Sequence, residues 1–176
     1  MSVTNLTSMV KLSVSHHASD TVSPEERLTQ LAIELPAPAN PGFDYVPLTI
    51  HNDTLYLSGQ IAKIEGAVRT RGKVGRDVTL AQAKAEMHIC ALQGLAWLRD
   101  ELGSLNRVSR VLRMNYYICC VDGFAHMSEI ADVSSGLFVE VFGDAGRHAR
   151  SVLGVVELPR NVPCMFDATF AINQAH

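Results

Sequence analysis

The chain has 176 residues, 47% of them hydrophobic and 19% charged, with a formal net charge of −3. This is enough sequence for one substantial core, and the balance is that of an ordinary globular protein. The mild acidity argues against a nucleic-acid binder, which normally presents a basic face, and no apolar run nears the roughly 18 residues that a membrane span needs.

Residues 1–23 hold Ser, Thr and His, with Lys11 the only lysine or arginine before Arg27. They lack the arginines of a transit peptide and the compact apolar stretch of a secretory signal, and read as a flexible tail ahead of a single domain over 24–176. Cys90, Cys119, Cys120 and Cys164 each lie in an apolar periodic stretch without zinc-knuckle spacing. Core thiols of a reducing compartment, hence a cytoplasmic protein, are the expectation.

Ser23-Pro24-Glu25-Glu26 predicts a helix start, with serine as cap and Glu26 closing a capping box, and Pro36 and Pro38 stop the helix soon after Leu35. The prolines at 36, 38, 41 and 47 keep the chain extended into a hairpin over 49–61 that turns at Asn52-Asp53. Residues 66–75 are glycine-spaced and basic, and read as an exposed loop. The clearest helix spans 79–102: Thr79 and Gln82 form a capping box, and Ala83, Met87, Cys90, Ala91, Leu95, Leu98 and Leu102 follow one face. Gly103 ends it, with Trp97 at the edge of the face.

A strand is expected over 108–121, then a helix over 123–142 interrupted at Ser134-Ser135-Gly136. Two strands close the order, 151–157 and 162–172, joined by Pro159-Arg160-Asn161. Strands, long helix, strand, helix and two strands make an α+β layer architecture, with helices on one side of a mixed sheet. His126 and His148 lack partnering carboxylates and are not read as metal ligands.

Residues 143–159 pass from a turn-rich segment with Arg147 and Arg150 into a β-branched run ending at Leu158-Pro159. A guanidinium is always charged and presents a planar fork of donors, so its natural partner is a carboxylate or phosphate. By residue type alone, such an arginine pair is more often a surface feature or a structural ion pair.

Ala149-Arg150-Ser151 with Val155, Leu158 and Pro159 resembles the arginine segment of the Rid (reactive intermediate deaminase, YjgF-like or L-PSP-like) family. Phe43-Asp44-Tyr45-Val46-Pro47 resembles its tyrosine-bearing first strand, and Leu55-Tyr56-Leu57-Ser58-Gly59-Gln60 its Ser-Gly-Gln strand end. Gly72-Lys73-Val74-Gly75 and Val139-Glu140-Val141-Phe142-Gly143 fall in the expected order, so that the likeness covers residues 28–172. The resemblance implies a chorismate-mutase-like fold, with two main helices on one face of the sheet, and a homotrimer with ligand sites at its subunit interfaces. It also implies hydrolysis of enamines or imines of small carboxylates to 2-oxo acids and ammonia, without metal or cofactor.

On the same basis Arg150 clamps the substrate carboxylate, Tyr45 and Ser58 line the pocket, and backbone groups near Val121 hold the reacting end. The glutamate that the family uses to position water falls on Met165, whose thioether cannot shuttle a proton. Asp167 shares Met165's strand face and is the candidate replacement, displaced by about 7 Å along the strand. The family's pocket asparagine is also missing, with Ser128 near its place.

Two alternatives to a deaminase follow from these departures. One is a non-catalytic trimeric binder of small carboxylate metabolites, and the other a specialised subgroup acting on a larger unsaturated amino acid. An endoribonuclease is not favoured, because no basic stretch interleaved with aromatics is present. The whole reading requires the Arg150 guanidinium to face a cavity rather than to be tied to a protein carboxylate.

Overall fold

The computed structural model describes residues 22–38 and 44–173, so most of the expected N-terminal tail, and Phe43, lie outside the described residues. The elements run α1 (Pro24–Gln30), β1 (Leu48–His51), β2 (Thr54–Gln60), α2 (Leu80–Leu102), β3 (Val108–Cys119), α3 (Met127–Phe142), β4 (Ala149–Val155) and β5 (Cys164–Ile172). Both expected capping boxes form: Ser23 caps α1 with Glu26 reaching back, and Thr79 caps α2 with Gln82. Gly103 ends α2 in the left-handed region at φ 73°, where a Cβ would be strained.

The sheet has 5 strands in the order β1-β2-β5-β3-β4, antiparallel except for the parallel β3–β4 pair. Strand alternation decides its two faces. Cys164, Phe166, Ala168 and Phe170 of β5 are buried, as are Val111, Met114, Tyr116 and Ile118 of β3. All are in one core cluster with the apolar stripes of α2 and α3, so both long helices cover one face. The opposite face stays open and carries Asn115, Tyr117, Ser151, Leu153, Met165 and Asp167.

Phe166 sits at the middle of the core, its ring centroid 6.0 Å from those of Tyr116 and Phe138. Its ring reaches α2 at Gly94, where an added Cβ would lie 2.8 Å from Phe166 Cζ and 3.2 Å from Leu57 Cδ2. Gly94→Ala is therefore expected to destabilise by about 1–3 kcal/mol through overpacking, although alanine is the better helix former. Chemical denaturation measures this, and an unchanged midpoint would show that the ring has room to move.

Four expectations are corrected. The second long helix begins at Met127, not at 123, and runs unbroken through Ser134-Ser135-Gly136. There Ser134 is fully buried and Ser135 bonds outward to the sheet side, so packing overrides weak local propensity. Asp44 to Pro47 form bends rather than a strand, with β1 starting only at Leu48. Pro47 has no N–H to give a ladder; its carbonyl accepts the Ser58 N–H at 2.8 Å.

The 66–75 loop is exposed only in its first part. Gly72 and Val74 are buried, and Val74 bridges to the end of β3 through Val74 N–H to Cys119 O (2.8 Å) and Val121 N–H to Val74 O (3.1 Å). Finally, β4 starts at Ala149 and β3 stops at Cys119, each two residues earlier than expected. No helix among the described residues is long and apolar enough to cross a membrane.

Candidate functional site

Past the start of β1, Gly59-Gln60 at the end of β2 lie beyond the paired part of the outer strand, and a cavity of about 530 Å³ opens there. Tyr45, Ser58 and Met165 line it, brought together from the bend before β1, the end of β2 and the start of β5. Trp97 and Gln93 of α2 form another wall, and Lys63 and Arg160 the remainder. The volume suits a small metabolite. The Ser58 hydroxyl is buried and has no hydrogen-bond partner among the described residues, an arrangement that costs about 1–3 kcal/mol until something supplies one.

Among the described residues no Asp or Glu lines this cavity, whereas Lys63 and Arg160 do. Burial, and then the Arg160 charge, hold the Lys63 ammonium below its ordinary range. Arg160 stands on a 3-10 turn, Pro159–Asn161, where Arg160 and Asn161 both have positive φ (59° and 58°). Two non-glycine residues in that region cost about 1–2 kcal/mol each. The turn is held from outside: Arg71 Nη1 donates to the Arg160 carbonyl at 2.6 Å, and Gly72 N–H donates to the Asn161 carbonyl at 2.8 Å.

Arg150 is not in this cavity. It is the second residue of the edge strand β4, on the helix side, and its Nη1 donates to Asp132 Oδ1 at 2.6 Å and to Ser135 Oγ at 3.1 Å. Asp132 and Ser135 are three residues apart on α3 and so share a face. Ser135 Oγ also lies 3.1 Å from His148 Nε2 and 3.1 Å from Tyr116 Oη, while His148 Nδ1 is 2.6 Å from the Gly146 carbonyl. That carbonyl fixes the proton on Nδ1 and leaves Nε2 as acceptor. Burial first, and the Arg150 charge as well, lower the His148 pKa and keep the ring neutral.

Within the single chain, then, the requirement set by the sequence is not met. Arg150 faces no cavity with Tyr45, Ser58 and Met165, and one of its nitrogens is tied to a protein carboxylate. Its Nε and Nη2 nevertheless make no hydrogen bond among the described residues, at a side chain 30% exposed on the free edge of the sheet. Val121 lies elsewhere again, in a hollow of about 300 Å³ with Cys120, Phe124, Met127 and Gly154.

Asp167 shares the open face with Met165, as alternation requires, but its oxygens are engaged across β3. Asn115 Nδ2 donates to Oδ1 at 2.7 Å and Tyr117 Oη to Oδ2 at 2.8 Å. Asp167 does not line the cavity. The bond to Asp167, followed by burial, raises the Tyr117 pKa. A phenol raised in the folded state contributes stability that is fully present below the unfolded value near 10 and is lost as pH rises through the folded value. Asp167→Asn is expected to advance one tyrosine in an ultraviolet alkaline titration and to flatten the fall in melting temperature above about pH 10. An unchanged titration would detach Tyr117 from Asp167.

Comparison with known proteins places this geometry. Residues 25–171 match the model of the YjgF/chorismate mutase-like endoribonuclease family. The chain belongs to the YjgF/Rid family. Protein TCP17 of Trypanosoma cruzi is 35% identical over 147 residues, which cover 83% of this chain and 92% of that protein. The crystal structure of Atu1372, of unknown function, from Agrobacterium tumefaciens is 35% identical with a TM-score of 0.76, over 85% of this chain and 91% of that one. A Shewanella oneidensis MR-1 structure carrying the endoribonuclease label is 28% identical with a TM-score of 0.80, over 85% and 99% of the two chains.

In this Rid protein, sequence reading did not place Lys63, Trp97 and Arg160 in the cavity lining, nor Asp132 against Arg150. Only Asp132 left a trace, through its spacing from Ser135 on a helix that faces the arginine strand. The lining of the cavity joins segments from five parts of the chain, and no local pattern announces such a meeting.

Proposed function

We propose that this Rid protein binds a small 2-imino or enamine carboxylate between protomers of a homotrimer and speeds its hydrolysis to the 2-oxo acid. Arg150 of one protomer grips the substrate carboxylate, and the Tyr45–Ser58–Met165 cavity of its neighbour receives the reacting end. The observation that carries this is the unused half of the Arg150 fork. Asp132 and Ser135 take Nη1 alone, which fixes the plane of the guanidinium and leaves Nε and Nη2 directed for a bidentate anion at the sheet edge. The Ser58 hydroxyl supports it as a buried donor or acceptor without a partner among the described residues.

The balance is water plus imine to ketone plus ammonia, with the carboxylate retained. Orientation and exclusion of solvent are what the chain's own groups supply, since Met165 holds no proton and Asp167 is committed to Asn115 and Tyr117. Those same two residues favour a second reading, a trimeric carboxylate binder without turnover.

One assay separates them. A dehydratase generates 2-iminobutyrate from threonine, and release of 2-oxobutyrate is followed with and without this protein. Faster release supports hydrolysis. Binding of the 2-oxo acid without faster release supports the binder, and neither result would remove the carboxylate site altogether.

A further inference from the structure

The cavity beside Ser58 is larger than a short imino acid needs. At about 530 Å³ it falls in the range that receives a drug-sized ligand, so a four-carbon acid leaves most of it unfilled. The surface around that extra space decides what can enter it. Trp97 of α2, Tyr45 and Pro47 before β1, Ile61 after β2 and Met165 of β5 bring apolar bodies to it from separate parts of the chain. Gln60 and Gln93, also in the lining, are buried, and each spends one end of its amide on backbone. Gln60 Nε2 donates to the Ser58 carbonyl at 2.9 Å, and Gln93 Oε1 accepts the Lys63 N–H at 3.1 Å.

Met165 lies across the bare backbone of β2: a Cβ added at Gly59 would stand 2.7 Å from its Sδ and 3.3 Å from its Cε. The floor is therefore a polarisable thioether, which makes favourable contacts with aromatic rings, and an indole and a phenol stand beside it as further ring surfaces. Lys63 and Arg160 complete the lining, and a cation is attracted to the face of a ring as it is not to an alkyl chain. That attraction asks neither of them to give up another partner.

We infer that the occupant carries an aromatic ring, held among Trp97, Tyr45 and Met165, so that the substrate class is the aryl-substituted 2-imino acids. This rests on the carboxylate-site reading above, with Arg150 of the neighbouring protomer on the carboxylate, and deepens it by naming the side chain. The ring fills the space that a short acid leaves, and methionine in place of the usual glutamate gives that ring a surface to lie on.

Calorimetric titration of the full chain with three 2-oxo acids tests this: 2-oxobutyrate, phenylpyruvate and the saturated cyclohexyl analogue of phenylpyruvate. Phenylpyruvate should bind at least about tenfold more tightly than 2-oxobutyrate, as burial of a ring predicts. It should also bind about threefold more tightly than the cyclohexyl acid, which has the size without the π face. Trp97→Leu and Met165→Gln should each bring the ratio of phenylpyruvate to 2-oxobutyrate affinity toward one; leucine keeps an apolar contact with the core, and Met165 is on the open face of the sheet. Equal affinity for phenylpyruvate and 2-oxobutyrate overturns the inference. So does a cyclohexyl acid that binds as tightly as phenylpyruvate, or a preference that survives both substitutions. Arg150→Ala distinguishes the underlying reading: it should weaken all three probes together and leave their ratios in place. If Arg150→Ala changes none of them while Trp97→Leu still abolishes the preference, the clamp is wrong and the aromatic cavity stands. Binding of none of the three by the wild type overturns both.

Discussion

Arg150→Ala is expected to remove the acceleration of 2-iminobutyrate hydrolysis and to weaken 2-oxobutyrate binding by at least about thirtyfold. The size follows from what the proposed clamp would lose, a charged fork able to make two parallel bonds to a carboxylate. Arg150→Lys should recover only part of the loss, because an ammonium supplies the charge without the planar pair of donors. Stability is the control. Arg150 is 30% exposed and Asp132 is 62% exposed, and a pair that open contributes little to folding. An unchanged melting temperature with lost binding is therefore the expected combination. Full activity in the alanine variant would remove Arg150 from the site.

Phe166→Ala should be the costliest single change in the core, at about 3–5 kcal/mol. The ring is fully buried and meets Tyr116 and Phe138 in the sheet and in α3, while its far edge touches Gly94 of α2. Its removal leaves a void where three elements converge, and β5 cannot collapse into it because it is paired on both sides. Urea denaturation followed by tryptophan fluorescence reads the loss, since Trp97 lies on α2 close by. Phe166→Leu should recover about half of it. A cost under about 1 kcal/mol would place the centre of the core elsewhere.

Much of the fold was legible because its signals are local and periodic. The seven residues expected on the inner face of α2 are all buried, and the alternation from Cys164 to Phe170 separates core from open face. The break expected in α3 fails for the opposite reason: serine and glycine weaken a helix in isolation, and burial of Ser134 in a packed interface outweighs that. The candidate site was proposed only through family resemblance, which named Tyr45, Ser58, Arg150 and Met165 one by one; of these the cavity brings together Tyr45, Ser58 and Met165. How they stand relative to each other was not written there. Arg150 stands on the edge strand β4, two strands from Met165 on β5 and three from Ser58 on β2, a consequence of strand order rather than of any motif. Lys63 and Arg160 were hidden further, since a lysine after a hairpin and an arginine in a turn are ordinary solvent-facing residues until the fold sets them on one wall.

The strand order has one more consequence, for the way the molecule is made. Among the described strands, the one translated last, β5, is the central one, hydrogen-bonded to β2 on one side and β3 on the other. While it is still inside the ribosome, the nascent chain has only a β1–β2 hairpin and a β3–β4 ribbon, with no seam between them. The sheet closes in a single late event, and a stop codon ahead of Cys164 would leave a single chain whose sheet is split into two unjoined parts, a substrate for quality-control proteases.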